Sequence, residues 1–171
     1  LEFPAARALM EMVPDHVETV AVVGRPDRAT LLSIWESLRP DCLQIMADAM
    51  PQDDLALQLP LLPAFPDGPE LHRQVDAYLK HKNDPGTQVL ADSAQPGTGV
   101  LTDWTRVAAL RSRCRLILAG GLKPSNVADA IAQVQPWGVD LCSGVESAPG
   151  VKDPALIDAF MTAVQTCPPP A

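Results

Sequence analysis

The 171-residue sequence predicts an α/β protein, a (βα)8 TIM barrel, and three observations carry that expectation. Strand-like apolar runs alternate with helical patterns along the chain, which implies a parallel sheet covered by helices. The last two runs close on small residues, at Gly120-Gly121 and Ser143-Gly144, where side-chain-free positions let a ligand approach the backbone. No run is followed by the GxGxxG turn of a dinucleotide-binding open sheet, the rival architecture in which six strands would be complete.

Taken in order, Leu1–Val13 sets Ala5, Ala6, Leu9, Met10 and Val13 at helical spacing, so the chain opens inside a helix. Strand-like runs follow at Val17–Gly24, Cys42–Ala47, Leu61–Phe65, Val89–Ser93, Leu116–Gly121 and Gly138–Ser143. Between and after them, Leu31, Leu32, Trp35 and Leu38 share one helix face, as do Leu71, Val75, Tyr78 and Leu79. Val127, Ala130, Ile131 and Val134 repeat the pattern, and Leu156, Ile157, Phe160, Met161 and Val164 close it. Pro26, Pro69, Pro124 and Pro154 stand where helices begin, with Asp153 as the N-cap of the last. A whole barrel typically needs about 200 residues or more. The chain is therefore expected to run from the second helix to the eighth, with the first strand, first helix and second strand ahead of Leu1. On this reading 1–166 form a single, partial barrel domain, and Cys167–Ala171, with its three successive prolines, is a disordered tail.

Composition narrows the partners. Hydrophobic residues make up 47% and charged residues 20%, as in an ordinary globular domain. The net charge is −8 and the pI near 4.7, and no basic stripe is present, which argues against nucleic acid and anionic membrane. An anionic ligand would instead be held by local backbone dipoles and a few side chains. The four cysteines show no CxxC pairing, which fits reduced thiols in the cytoplasm. No membrane span, signal peptide or metal motif is visible. His16, His72 and His81 lack ligand spacing and read as surface residues.

Chemistry gathers at the strand ends. Gly120-Gly121 and Ser143-Gly144 follow consecutive strands, the arrangement that cradles phosphate after the last two strands of a barrel; the alternative is that they relieve crowding between strands and helices. Asp92 ends an apolar strand at the mouth, where partial burial would raise its pKa and suit it to general-acid work, or it simply caps the following loop. Asp140 has the same two readings, and strand alternation would put Cys142 on its face. Gly97-Thr98-Gly99 is either a mobile lid or a long turn.

These residues carry a resemblance. Leu118-Ala119-Gly120-Gly121-Leu122, Pro124, Asn126-Val127, Gly138–Ser147 and Pro149–Asp153 closely resemble the C-terminal signature of phosphoribosylanthranilate isomerase, an enzyme of tryptophan biosynthesis. Gly97-Thr98-Gly99 with Asp103-Trp104 is similar to that family's glycine–threonine–glycine loop and the start of its next helix. The resemblance is dense from Leu90 to Phe160 and thinner before it. It implies an Amadori rearrangement of N-(5′-phosphoribosyl)anthranilate to 1-(2-carboxyphenylamino)-1-deoxyribulose 5-phosphate, without metal or organic cofactor. It further implies Asp92 as the general acid, Asp140, Gly97, Thr98 and Gly99 as substrate contacts, and Gly120, Gly121, Ser143 and Gly144 as the phosphate site. A phosphorylated ribose is the implied ligand, and the protein is expected to be a monomer or homodimer. The family's base is a cysteine at the end of its first strand, and an arginine after its second strand contacts the anthranilate. Both positions are expected to lie ahead of Leu1. Met46, Pro63 and Val100 replace the histidine, lysine and lysine usual in the family. The alternative reading is thus a silent or diverged ribose-phosphate-binding barrel that lacks the catalytic cysteine.

Overall fold

The computed structural model describes residues 2–51, 59–80, 82, 84, 86–95 and 98–168. Strands and helices alternate, and the chain divides into two compact units, Leu1–Ala64 and Phe65–Ala171.

In the first unit, α1 (Phe3–Met10) precedes β1 (Val20–Gly24), α2 (Arg28–Leu38), β2 (Cys42–Met46) and the start of β3 (Leu61–Pro66). The three strands pair in parallel, with Val20 beside Cys42 and Leu43 beside Leu61. Asp27 caps α2, its carboxylate accepting from the Thr30 amide at 2.8 Å, so the helix begins two residues later than a start at Pro26 would place it. Alternation then decides the packing. Ala21 and Val23 lie against Leu31, Ile34, Leu43 and Ile45, whereas Val20 and Val22 point the other way and stay exposed.

In the second unit, α3 (Leu71–Leu79) leads to β4 (Gln88–Asp92), α4 (Trp104–Ala108), β5 (Arg115–Leu118), α5 (Val127–Val134) and β6 (Gly138–Val139). Strands β4, β5 and β6 are parallel neighbours: Val89 pairs with Leu116, and Ile117 with Gly138. Val89, Leu90, Leu116 and Leu118 are fully buried, as expected of a parallel sheet covered on both faces. The predicted sixth strand, Gly138–Ser143, is cut to two residues. A 3-10 turn begins at Ser143, followed by a hairpin of β7 (Glu146–Ala148) and β8 (Val151–Lys152) around Pro149-Gly150. Asp153 caps α6 (Pro154–Gln165) through the Ala155 amide at 2.8 Å, with Pro154 in the first turn, as its position in the sequence predicts. The amide of Cys167 donates to the Val164 carbonyl at 3.0 Å; residues 169–171 of the predicted tail lie outside the described residues.

Candidate active site

Because β4, β5 and β6 run in parallel, their C-terminal ends share one edge of the sheet. Asp92 closes β4, Gly120-Gly121 follow β5, and Asp140 follows β6. Backbone hydrogen bonds fix that edge. The Ala119 amide donates to the Ala91 carbonyl at 2.8 Å, and the Asp140 amide to the Leu118 carbonyl at 2.8 Å.

Asp92 is half-buried, and burial raises its carboxyl above the ordinary range, although the Ser93 amide, 2.7 Å from its Oδ1, opposes the shift. Asp140 is raised as well, first by burial and then by the like charge of Asp92. A carboxyl raised by burial at a strand edge is suited to general-acid work, and here two such carboxyls lie at one edge. Because β6 stops at Val139, strand alternation does not govern Asp140 and Cys142. Cys142 is exposed, with Lys152 Nζ 3.2 Å from its Sγ. Lys152 also pairs with Glu146 at 2.7 Å and donates to the Cys142 carbonyl at 2.8 Å, so it fastens the β7–β8 hairpin to the segment after β6. Of the histidines, His16 is exposed and His81 lies outside the described residues. His72 departs from the surface reading: it is half-buried, its ring nitrogen 2.8 Å from the Arg106 carbonyl.

A cavity of about 290 Å³ opens beside this edge, lined among others by Gly99, Leu101, Gly121, Lys123, Ser143 and Gly144. Both glycine-bearing strand ends therefore reach one cavity, and the loop after β4 joins them. The glycines differ in their reasons. Gly120 has φ +91°, and a Cβ there would sit 2.2 Å from Thr102 Oγ1 and 2.6 Å from the Ser93 amide nitrogen. Crowding demands glycine at that position, set back from the cavity wall. At Gly144 a Cβ would fall 1.9 Å from the Leu122 carbonyl oxygen, so this residue of the 3-10 turn also packs directly on backbone. Thr98 turns back on its own loop, its hydroxyl donating to the Gln95 carbonyl at 2.7 Å. Gly97 lies outside the described residues.

Two lining residues were not singled out as ligands by sequence reasoning. Asn126 accepts from the Lys123 amide at 2.8 Å and donates to the Gly121 carbonyl at 3.1 Å, which locks the turn on the cavity wall. Lys123 is exposed and brings a positive charge to that wall. Its signal was present in the sequence as a cation two residues after the glycine pair.

The model of the N-(5′-phosphoribosyl)anthranilate isomerase family matches residues 4–163. The chain belongs to that family. The N-(5′-phosphoribosyl)anthranilate isomerase of Pseudomonas putida KT2440 is 38% identical over 166 residues, which span 94% of this chain and 78% of the relative. Among solved structures, the monomers generated from the dimeric phosphoribosylanthranilate isomerase of Thermotoga maritima superpose with a TM-score of 0.76 at 26% identity, over 96% of this chain and 80% of that one. A phosphoribosylanthranilate isomerase in complex with reduced 1-(o-carboxyphenylamino)-1-deoxyribulose 5-phosphate matches with the same score, identity and coverage. The α/β architecture of this isomerase chain is thus that of its TIM-barrel relatives. Among the described residues, no helix is long and apolar enough to cross a membrane.

Proposed function

We propose that the chain acts as a phosphoribosylanthranilate isomerase in tryptophan biosynthesis, with Asp92 as the proton donor that opens the ribose ring. The observation that carries this reading is the half-buried Asp92 carboxyl, raised by desolvation, at the strand edge that also carries the glycine-lined cavity.

In this reading the 5′-phosphate of the substrate occupies the cavity. Backbone groups at Gly121, Ser143 and Gly144 surround it, with Gly120 shaping the turn behind them, and Lys123 adds the charge that a chain of net −8 does not supply globally. Thr98 and Gly99 belong to the loop that contacts the sugar, and Gly97 is read with them as a substrate contact. Asp92, its carboxyl raised by burial, gives its proton to the ring oxygen as the C–O bond breaks, leaving an iminium between the first sugar carbon and the anthranilate nitrogen. Asp140, whose carboxyl faces the field of Asp92, steadies that developing positive charge. Loss of the proton on the second sugar carbon then gives the enolamine, which becomes the ketose. The family resemblance gives that last role to a cysteine, and it is not assigned to Cys42, Cys114, Cys142 or Cys167. The reaction as proposed uses no cofactor, and its setting is the cytoplasm, in keeping with four free thiols.

Phosphoribosylanthranilate is fluorescent through its anthranilate ring, and the rearranged product is read by the loss of that signal. The purified chain is expected to consume the substrate enzymatically; a signal that decays only at the spontaneous rate contradicts the proposal.

A further inference from the structure

We infer that Asp67 is a positioning residue for this reaction, tying the loop that lines the phosphate cavity to the strand end that carries Asp92. The inference rests on the function proposed above and goes beyond it, because Asp67 is neither part of the C-terminal signature nor a lining residue of the cavity.

Asp67 follows directly on β3, and its side chain is only 8% exposed. A carboxylate taken out of water needs both a counter-charge and hydrogen-bond donors. Asp67 has them from two sources. Arg106 Nη1 donates to its Oδ1 at 2.6 Å, and the Asp103 amide donates to its Oδ2 at 2.8 Å. Its own amide donates to the Asp92 carbonyl at 2.7 Å. One buried residue thereby joins the backbone of Asp92 to the N-cap of α4.

Arg106 makes the joint stiff. Its Nη2 lies 3.1 Å from Asp103 Oδ2, and the pairing with Asp67 holds the guanidinium more firmly protonated than usual. The ring of His72 bonds its carbonyl. One residue before Asp103, the Thr102 hydroxyl donates to the Ala119 carbonyl at 2.7 Å, against the surface of Gly120. The segment from Gly99 to Asp103 is therefore fixed at its far end to both β5 and Asp67, while Gly99 and Leu101 form part of the cavity wall. Well-packed apolar residues often replace buried ion pairs without loss of stability, so stability alone does not call for a carboxylate here. The side chain's tie to the Asp103 amide and Arg106 does, since it joins the cavity loop to the residue whose backbone amide holds the Asp92 carbonyl.

The test compares the unsubstituted chain with Asp67→Ala and Asp67→Asn, well below the melting temperature that circular dichroism gives for each. Asp67→Ala is expected to lower kcat by about 10²-fold, the scale of a displacement of about 1 Å among reacting groups. KM is expected to rise less, by about tenfold, as for one lost charged hydrogen bond. Asp67→Asn keeps an acceptor for the Asp103 amide and should recover much of kcat. Should Asp67→Ala not fold, Asp67→Asn alone is read, with an expected loss of about tenfold in kcat. Variants that melt earlier but keep kcat and KM would overturn the inference, because a purely structural tie leaves the chemistry of the folded molecule untouched. If the unsubstituted chain shows no turnover, the proposed function fails, and Asp67 is read instead from binding of inorganic phosphate. Weakening by about tenfold in Asp67→Ala then supports the tie, and equal binding, or no binding by any form, overturns it.

Discussion

Asp92 and Asp140 show what half-burying a carboxyl does to a fold. Both are raised by burial, and Asp140 additionally by its like-charged neighbour. The folded chain then holds protons that the unfolded chain has already released, so these groups favour folding at low pH and lose that contribution as pH rises through the folded-state values. Ionising either carboxyl as pH rises works against stability. Asp140→Asn is therefore expected to raise the melting temperature at pH 7, with the gain shrinking toward zero below about pH 4, where the unfolded carboxyl is also protonated. Thermal melts across pH check this; a lower melting temperature at pH 7 would contradict it. Lys123 makes a different prediction. Lys123→Ala should raise KM for the phosphorylated substrate by about tenfold and leave kcat nearly unchanged, because a phosphate contact remote from the reacting carbon binds ground and transition states alike.

At the scale of elements, the strands and helices were legible because their periodicity is strong, and the last helix also carries a side-chain cap. Asp153 before Pro154 states the start of α6 in two residues, and the run Leu116-Ile117-Leu118, closed by a glycine pair, reads as a strand. The segment after Val139 was not legible. Leu141-Cys142 reads as strand by composition, but a Cβ-free Gly144 has to pack on the Leu122 carbonyl, which turns the chain into a 3-10 turn instead. Pro149-Gly150, a dipeptide type that marks turns, joins β7 to β8 there. Asp67 left no sequence trace, since a carboxylate after a strand is ordinarily solvated and its partner Arg106 lies 39 positions away. Gly144→Ala tests the crowding directly. It is expected to destabilise the chain by about 1–3 kcal/mol, in the range of overpacking, measured by urea unfolding. A variant as stable as the unsubstituted chain would show that Leu122 yields easily.

For the molecule as a whole, parallel pairing is what converts three separate strand ends into one chemical edge. Had β4, β5 and β6 alternated in direction, Asp92, Gly121 and Asp140 would not have met at one edge of the sheet. The net charge of −8 gives no long-range attraction for a phosphorylated substrate, so capture depends on groups lining the cavity. In the proposed mechanism the proton donor and the phosphate cradle are separable parts of that edge, and one substitution distinguishes them. The most direct measurement compares turnover of phosphoribosylanthranilate, and binding of the reduced product analogue, between the unsubstituted chain and Asp92→Asn. Asp92→Asn should lower kcat by about 10²–10⁴-fold, the range of a lost general acid, while the analogue still binds. Equal turnover in the two forms would contradict Asp92 as the proton donor.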